Sequence, residues 1–358
     1  MTYQTWRSVT AATGGMLACL VALRIVSGEP TAPTTVPVAS AVVENPLAEL
    51  TSLPYQPAAA VAGTVRLAGA GTLQQAAAHW CAGFARIHPD AACSLSDVSS
   101  SAGWKALVSG SADVALMSRP VDDAERAAAE KEIGRRIVVV GAAFDRLVWV
   151  VNAANPITTI PWTPEGGVLR PAAAAALPGV ADPATAAPRA ATTWNDLNGD
   201  AAWATVPIEL HGTGLGSGTR WHMDRLLSGT APCALTVKEH RTLAEVAEAV
   251  AGARGGLGLL SDTAGVWPGV KKIALGVPES ATPADDHVAG SARPPDCRPL
   301  FLAVALDKDG GLPPVLHEFL AYVLSASGQL DAAKDGLLPL TRAEIHAQRE
   351  LLGWPLER

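Results

Sequence analysis

The sequence predicts an α/β protein built on mostly parallel sheets and divided into two domains. Three observations predict it. Short apolar or β-branched runs alternate along the body with segments of helical periodicity, the pattern of strand–helix–strand units. Three loops rich in Gly, Ser and Thr each follow a strand run and precede a helical one. At 358 residues the chain is longer than one core usually serves, since domains run to roughly 100–200 residues. An apolar share of 49% against 17% charged is enough to bury sizeable cores and excludes a disordered chain.

The folded body begins near residue 63. Residues 64–68 (TVRLA) read as a strand. After GAGT, Leu73, Ala77, Trp80, Phe84 and Ile87 recur at helical spacing and mark one face. Thr72 suits the N-cap, and His88-Pro89-Asp90 stops the helix. Residues 92–98 form a second strand, SSSAG leads into a helix over 103–108, and DVALM (113–117) is a third strand. A polar, alanine-rich helix covers 122–132. Residues 136–142 and 147–151 are two apolar runs, and 152–155 read as a crossing point. Residues 161–193, rich in Ala and Pro, read as an irregular insertion. Order resumes at WNDL (194–197). A strand over 206–210 runs directly into HGTGLGSGT, followed by helices over 219–227 and 243–253. Strands are expected at 257–261, 270–275 and 300–306. Pro313 opens a helix through Ser325, proline being at home in a first turn, and a last helix covers 342–352.

Ahead of the body, residues 1–26 read as an export signal or membrane anchor. Arg7 precedes an uncharged stretch, SVTAATGGMLACLVAL. As a helix it would span about 24 Å, short of the roughly 30 Å hydrocarbon core, which favours a signal. A Pro/Ala/Thr-rich linker follows over 27–62. The body is therefore expected outside the cytoplasm, in the periplasm or cell envelope, with membrane contact through the N-terminal segment if it is uncleaved. Beyond the signal stand Cys81, Cys93, Cys233 and Cys297. They lack the C-x-x-C spacing of zinc sites. An even number in an exported chain fits disulfides, with three pairings open; Cys81–Cys93 with Cys233–Cys297 is one of them. Thirty-four acidic against 27 basic residues, a net charge of −7, disfavour a nucleic-acid partner.

The candidate chemistry lies in the loops GAGTL (69–73), SSSAG (99–103) and GLGSGT (214–219), with a fourth at Met117-Ser118-Arg119-Pro120. A helix start presents unpaired N–H groups and the positive end of a dipole, glycine admits close approach, and hydroxyls add donors, so such loops are anion sites. Ser and Thr also serve as plain N-caps, so it is the recurrence that carries the reading. No nucleotide-binding glycine–lysine loop, no G-x-G-x-x-G and no G-x-S-x-G elbow is present. His79, His211 and His222 lie near the loops without metal spacing, and Asp307-Lys308-Asp309-Gly310-Gly311 lacks the closing Glu of a calcium loop. No cofactor, metal or catalytic set is predicted.

The order GAGTL, SSSAGWKALVSGSADVALMSRPV, VNAANPI, WNDL, GSGTR, EVAEAVAGARGGLGLLS and RPLFLAV resembles the phosphate-binding component of phosphate ABC import transporters. The resemblance runs over about 64–340. It implies a type II periplasmic-binding-protein fold, two lobes that are each a mixed sheet flanked by helices: 63–150 with 269–358, and 151–268. It implies capture of inorganic phosphate, or a similar tetrahedral oxyanion, by a monomer that docks on a membrane permease, and no enzymatic activity. The ligand contacts it implies are Thr72, the backbone of Leu73, Ser100 with Ser101 beside it, and Ser217, Gly218 and Thr219. Two positions depart from the family. Thr213 stands where an arginine is usual, and Ser118 where an aspartate accepts the ligand's proton. Arg119, or else Arg220, is the candidate replacement for the missing charge. The alternative is a degenerate, membrane-anchored member serving as a sensor or interaction module.

Overall fold

The computed structural model describes residues 50, 53–163, 167–169, 191–198, 200–228, 235–277 and 293–354, all within the unit Glu44–Arg358. The expected signal and most of the linker lie outside the described residues, as do Cys233 and most of the 161–193 insertion. Among the described residues no helix is long and apolar enough to cross a membrane.

Strand β1 (Gly63–Ala70) passes through a 3-10 turn (Gly71–Leu73) into α1 (Gln74–Ile87), then β2 (Ala91–Val98), α2 (Ser100–Val108), β3 (Val114–Met117) and α3 (Asp123–Ile133). The helical face read from sequence is buried at Leu73, Ala77, Trp80 and Phe84, all at 0% exposure, whereas Ile87 in the last turn is 43% exposed, and the N-cap of α1 is Leu73 rather than the expected Thr72. Strand β4 (Ile137–Asn152) then runs for 16 residues, joining the two apolar stretches into one. After it come β5 (Thr159–Pro161), the single turn α4 (Asn195–Asn198), β6 (Glu209–Thr213), α5 (Gly218–Ser228), β7 (Val237–His240), α6 (Leu243–Gly252), β8 (Gly256–Ser261) and β9 (Val270–Gly276). The chain returns through β10 (Cys297–Ala305) to α7 (Pro314–Val323), α8 (Ala326–Ala333) and α9 (Arg342–Leu351).

The strand order is β2-β1-β3-β10-β4-β8-β6-β7, with β9 on β4 and β5 on β9. Strand–helix alternation makes β2, β1 and β3 parallel, and likewise β8, β6 and β7. The centre departs from the mostly parallel expectation. Strand β10 is antiparallel to both β3 and β4, and β4 is antiparallel to β8 and β9. The reason is connectivity: β4 extends from one half of the sheet into the other, and β10 re-enters the first half beside it without the single helical crossover that enforces parallel pairing.

Apolar cores lie on both faces of each half. Trp80, Phe84, Phe319 and Leu302 anchor one core of the first half, and Trp104, Phe144 and Phe301 the other. Trp149, Trp194, Leu210 and Leu257 fill the main core of the second half. Strand β9 pairs with β4 and β5, and its Ile273 packs in that second core, so residues 270–276 sit with the half that the sequence boundary ends at 268. The helix expected through Ser325 stops at Val323, because Ser325 caps a new helix by accepting from Gly328 N–H.

Candidate functional site

The four singled-out turns lie at the C-terminal ends of β1, β2, β3 and β6 and open on one cleft of about 770 Å³. Ligands of open α/β sheets bind at such strand ends. Thr72, Ser100, Ser118, Thr213, Ser217, Gly218 and Thr219 all line it. Each is placed by a local cause. Ser99, not Ser100, caps α2 by accepting from Ala102 N–H at 3.2 Å, which leaves the Ser100 hydroxyl free of the helix. Gly103 lets α2 seat directly on β1, since a Cβ there would lie 2.5 Å from the Ala68 carbonyl oxygen. The buried Ser100 hydroxyl accepts from Ser118 N–H at 3.1 Å and lies 3.2 Å from the Ser118 hydroxyl. From the other half, the Thr213 and Ser217 hydroxyls are 2.7 Å apart. The N-terminus of α5 meets Ser118 so closely that a Cβ on Gly218 would fall 2.1 Å from Ser118 Oγ.

Leu73 is wholly buried behind its turn, and Ser101 donates to the Gly216 carbonyl at 3.3 Å across the seam. Neither side chain is among those lining the cleft. The two arginines offered as replacement charge are engaged elsewhere. Arg119 forks onto Glu125 with two contacts of 2.8 Å and donates to the Pro120 carbonyl. Arg220 is shared by Asp224 and Glu239. Each already faces a carboxylate, so neither brings an uncommitted positive charge to the cleft.

The cation under the cleft is Arg298 of β10, which the sequence reading missed. It is at 0% exposure. Its Nε and one terminal nitrogen hold Asp145 at 2.9 and 2.7 Å. The other terminal nitrogen donates to Thr219 Oγ1 at 2.8 Å, and the Asp145-facing one also donates to Thr72 Oγ1 at 3.0 Å. Arg298 and Asp145 are direct cross-strand partners in the β10–β4 register. Burial pushes the Asp145 carboxyl up, while the Arg298 charge and a 2.7 Å hydrogen bond from Ser261 pull against it. A signal did exist in the sequence: a buried charge needs a partner, and Arg298 stands at the edge of the apolar run CRPLFLAVA while Asp145 and Arg146 stand between the two apolar runs of IVVVGAAFDRLVWVV.

At the rim, His240 Nε2 lies 3.1 Å from Nδ1 of His211. Burial holds His211 below its ordinary value, with the neighbouring His240 acting in the same direction.

This geometry is a set of hydroxyls and helix N-termini facing one cavity, backed by one compensated arginine. The sequence profile of the PBP superfamily domain matches residues 55–327. The chain belongs to the PBP superfamily. Within that superfamily it is 28% identical over 288 residues to the phosphate-binding protein PstS of Pseudomonas aeruginosa, covering 80% of this chain and 86% of the relative. Among solved structures it resembles an ABC-type phosphate transport receptor from Vibrio cholerae, with a TM-score of 0.51 and 22% identity over 77% of this chain and all of that one. A putative phosphate ABC transporter substrate-binding protein with bound phosphate from Clostridium perfringens gives the same TM-score, at 19% identity over 78% of this chain and all of that one. At those identities the structural likeness establishes the superfamily fold.

Proposed function

We propose that the chain is an extracytoplasmic solute-binding protein that captures inorganic phosphate, or a closely similar tetrahedral oxyanion, for the permease of an ABC importer. The observation that carries this reading is the convergence of Thr72, Ser100, Ser217 and Thr219, from three turns widely separated in sequence, on one cleft. The name of the Pseudomonas relative supports the choice of ligand. In this reading the two lobes, joined by β4, close on a dehydrated anion. The Thr72, Ser100, Ser217 and Thr219 hydroxyls, the Leu73 backbone and the N–H groups of Gly218 and Thr219 donate to its oxygens, as charge-assisted bonds roughly twice as strong as neutral ones. Arg298 stands beneath the site with its charge met by Asp145, so in this reading it contributes directed hydrogen bonds to Thr72 and Thr219 rather than net positive charge.

Protein stripped of bound ligand and titrated with phosphate is expected to gain about 4.1 kcal/mol of stability at a thousand times the dissociation constant, read as a rise in thermal midpoint. A flat titration contradicts the reading.

Export has a second consequence. The thiols of Cys81 on α1 and Cys93 on β2 are both free and hydrogen-bonded to each other. In an oxidising compartment, with disulfide oxidoreductases as electron acceptors, they are expected to form a bridge worth about 3 kcal/mol. Non-reducing peptide mapping of protein recovered from the envelope checks it; separate, alkylatable thiols would refute the bridge.

A further inference from the structure

A hydroxyl has one proton to give and lone pairs to receive. Where a neighbour with donors only occupies a lone pair, the proton must point elsewhere. Arg298 is such a neighbour, with five N–H donors and no acceptor, and it reaches Thr219 of α5 at 2.8 Å and Thr72 of the β1–α1 turn at 3.0 Å. Both hydroxyls line the cleft, from opposite halves of the sheet. Ser118 N–H likewise takes a lone pair of Ser100. Asp145, the carboxylate buried beneath Thr72 and Thr219, is occupied by Arg298 and Ser261.

We propose that Arg298, with Asp145 as its counter-ion, is a positioning residue that fixes the Thr72 and Thr219 hydroxyls as donors into the cleft, so that the site favours tetrahedral oxyanions in their less protonated forms, dianionic over monoanionic phosphate and sulfate included. The proposal rests on the oxyanion-capture reading above and adds its selectivity. An anion that retains protons brings O–H groups needing acceptors, and hydroxyls held as donors offer none; an unmet donor costs about 1–3 kcal/mol. Monoanionic phosphate brings two such groups, dianionic phosphate one and sulfate none.

The pH dependence has other possible sources. Asp97, Glu239, His240, Arg241 and Glu245 also line the cleft, and their charges act on any anion held there. Sulfate separates these effects. It stays a dianion from about pH 5.5 to about pH 8, whereas phosphate groups lose their second proton near pH 6 or somewhat above. Any slope in sulfate affinity therefore belongs to the protein.

The test is calorimetric titration of stripped protein with phosphate and with sulfate at about pH 5.5 and about pH 8. The wild type is expected to bind sulfate at both pH values and phosphate about tenfold or more tightly at the higher one, after correction by the sulfate slope. The double variant Arg298→Met with Asp145→Asn removes the pair without stranding a charge. It is expected to lose about tenfold to a hundredfold in affinity for both anions, and to lose the phosphate slope. Arg298→Lys keeps the counter-ion satisfied but cannot fork between both threonines, so it is expected to change both readouts in the same direction if the double variant folds poorly. Wild-type protein that binds neither anion would overturn the capture reading as well. Wild-type binding of phosphate with sulfate refused, or variants within about twofold of wild type on both anions with the slope intact, would overturn this inference alone.

Discussion

Arg298→Met alone is expected to destabilise the fold by about 3–5 kcal/mol, because it strands Asp145 as an unpaired charge at 0% exposure. Adding Asp145→Asn should restore most of that loss, since removing both charges costs far less than removing one. The pH dependence of the single variant follows from the same charge. Without Arg298, burial and the Asp262 charge raise the carboxyl against the Ser261 hydrogen bond alone, so its folded pKa lies further above its ordinary 3.8. A raised acid penalises the folded state above that ordinary value, and the penalty fades as pH falls toward it. Urea unfolding at neutral and acid pH checks both statements. A single variant within about 1 kcal/mol of the wild type at neutral pH would show that Asp145 is not the partner described here.

Gly218→Ala is expected to act on binding more than on stability. Its new Cβ would sit 2.1 Å from Ser118 Oγ and 2.3 Å from the Ser118 carbonyl oxygen, both fixed in the other half of the sheet. If the halves move apart without ligand, the free protein relieves the clash by staying open, and the cost falls on the closed, anion-bound form. Overpacking of this kind costs about 1–3 kcal/mol, or about a tenfold to hundredfold loss of phosphate affinity with the unfolding midpoint little changed. Unaltered affinity would mean that Ser118 and Gly218 do not form the closure seam.

Much of this arrangement was legible in the sequence, for identifiable reasons. The face of α1 follows from the spacing of Leu73, Ala77, Trp80 and Phe84, because one packed face needs nothing beyond local periodicity. The four turns announce themselves because glycine and hydroxyl residues at helix starts are local features as well. The antiparallel pairing of β10 with β3 and β4 was not legible, since it depends on where a distant strand inserts. Arg298 was overlooked for the same reason. Its partners Thr72, Asp145 and Thr219 lie 226, 153 and 79 residues away, and only the register that aligns it with Asp145 gives the lone charge in β10 its meaning. Arg119 shows the opposite limit. Motif position placed it at the cleft, but Glu125, six residues on, captures it at 2.8 Å. A local ion pair costs little to form, and no motif encodes its presence.

A crystal structure of the protein grown with phosphate tests the central claim most directly. The account predicts one tetrahedral anion within hydrogen-bonding distance of the Thr72, Ser100, Ser217 and Thr219 hydroxyls and of the first N–H groups of α5, with Arg298 still joined to both threonines. An anion bound elsewhere, or threonine hydroxyls released from Arg298 when it binds, would contradict it.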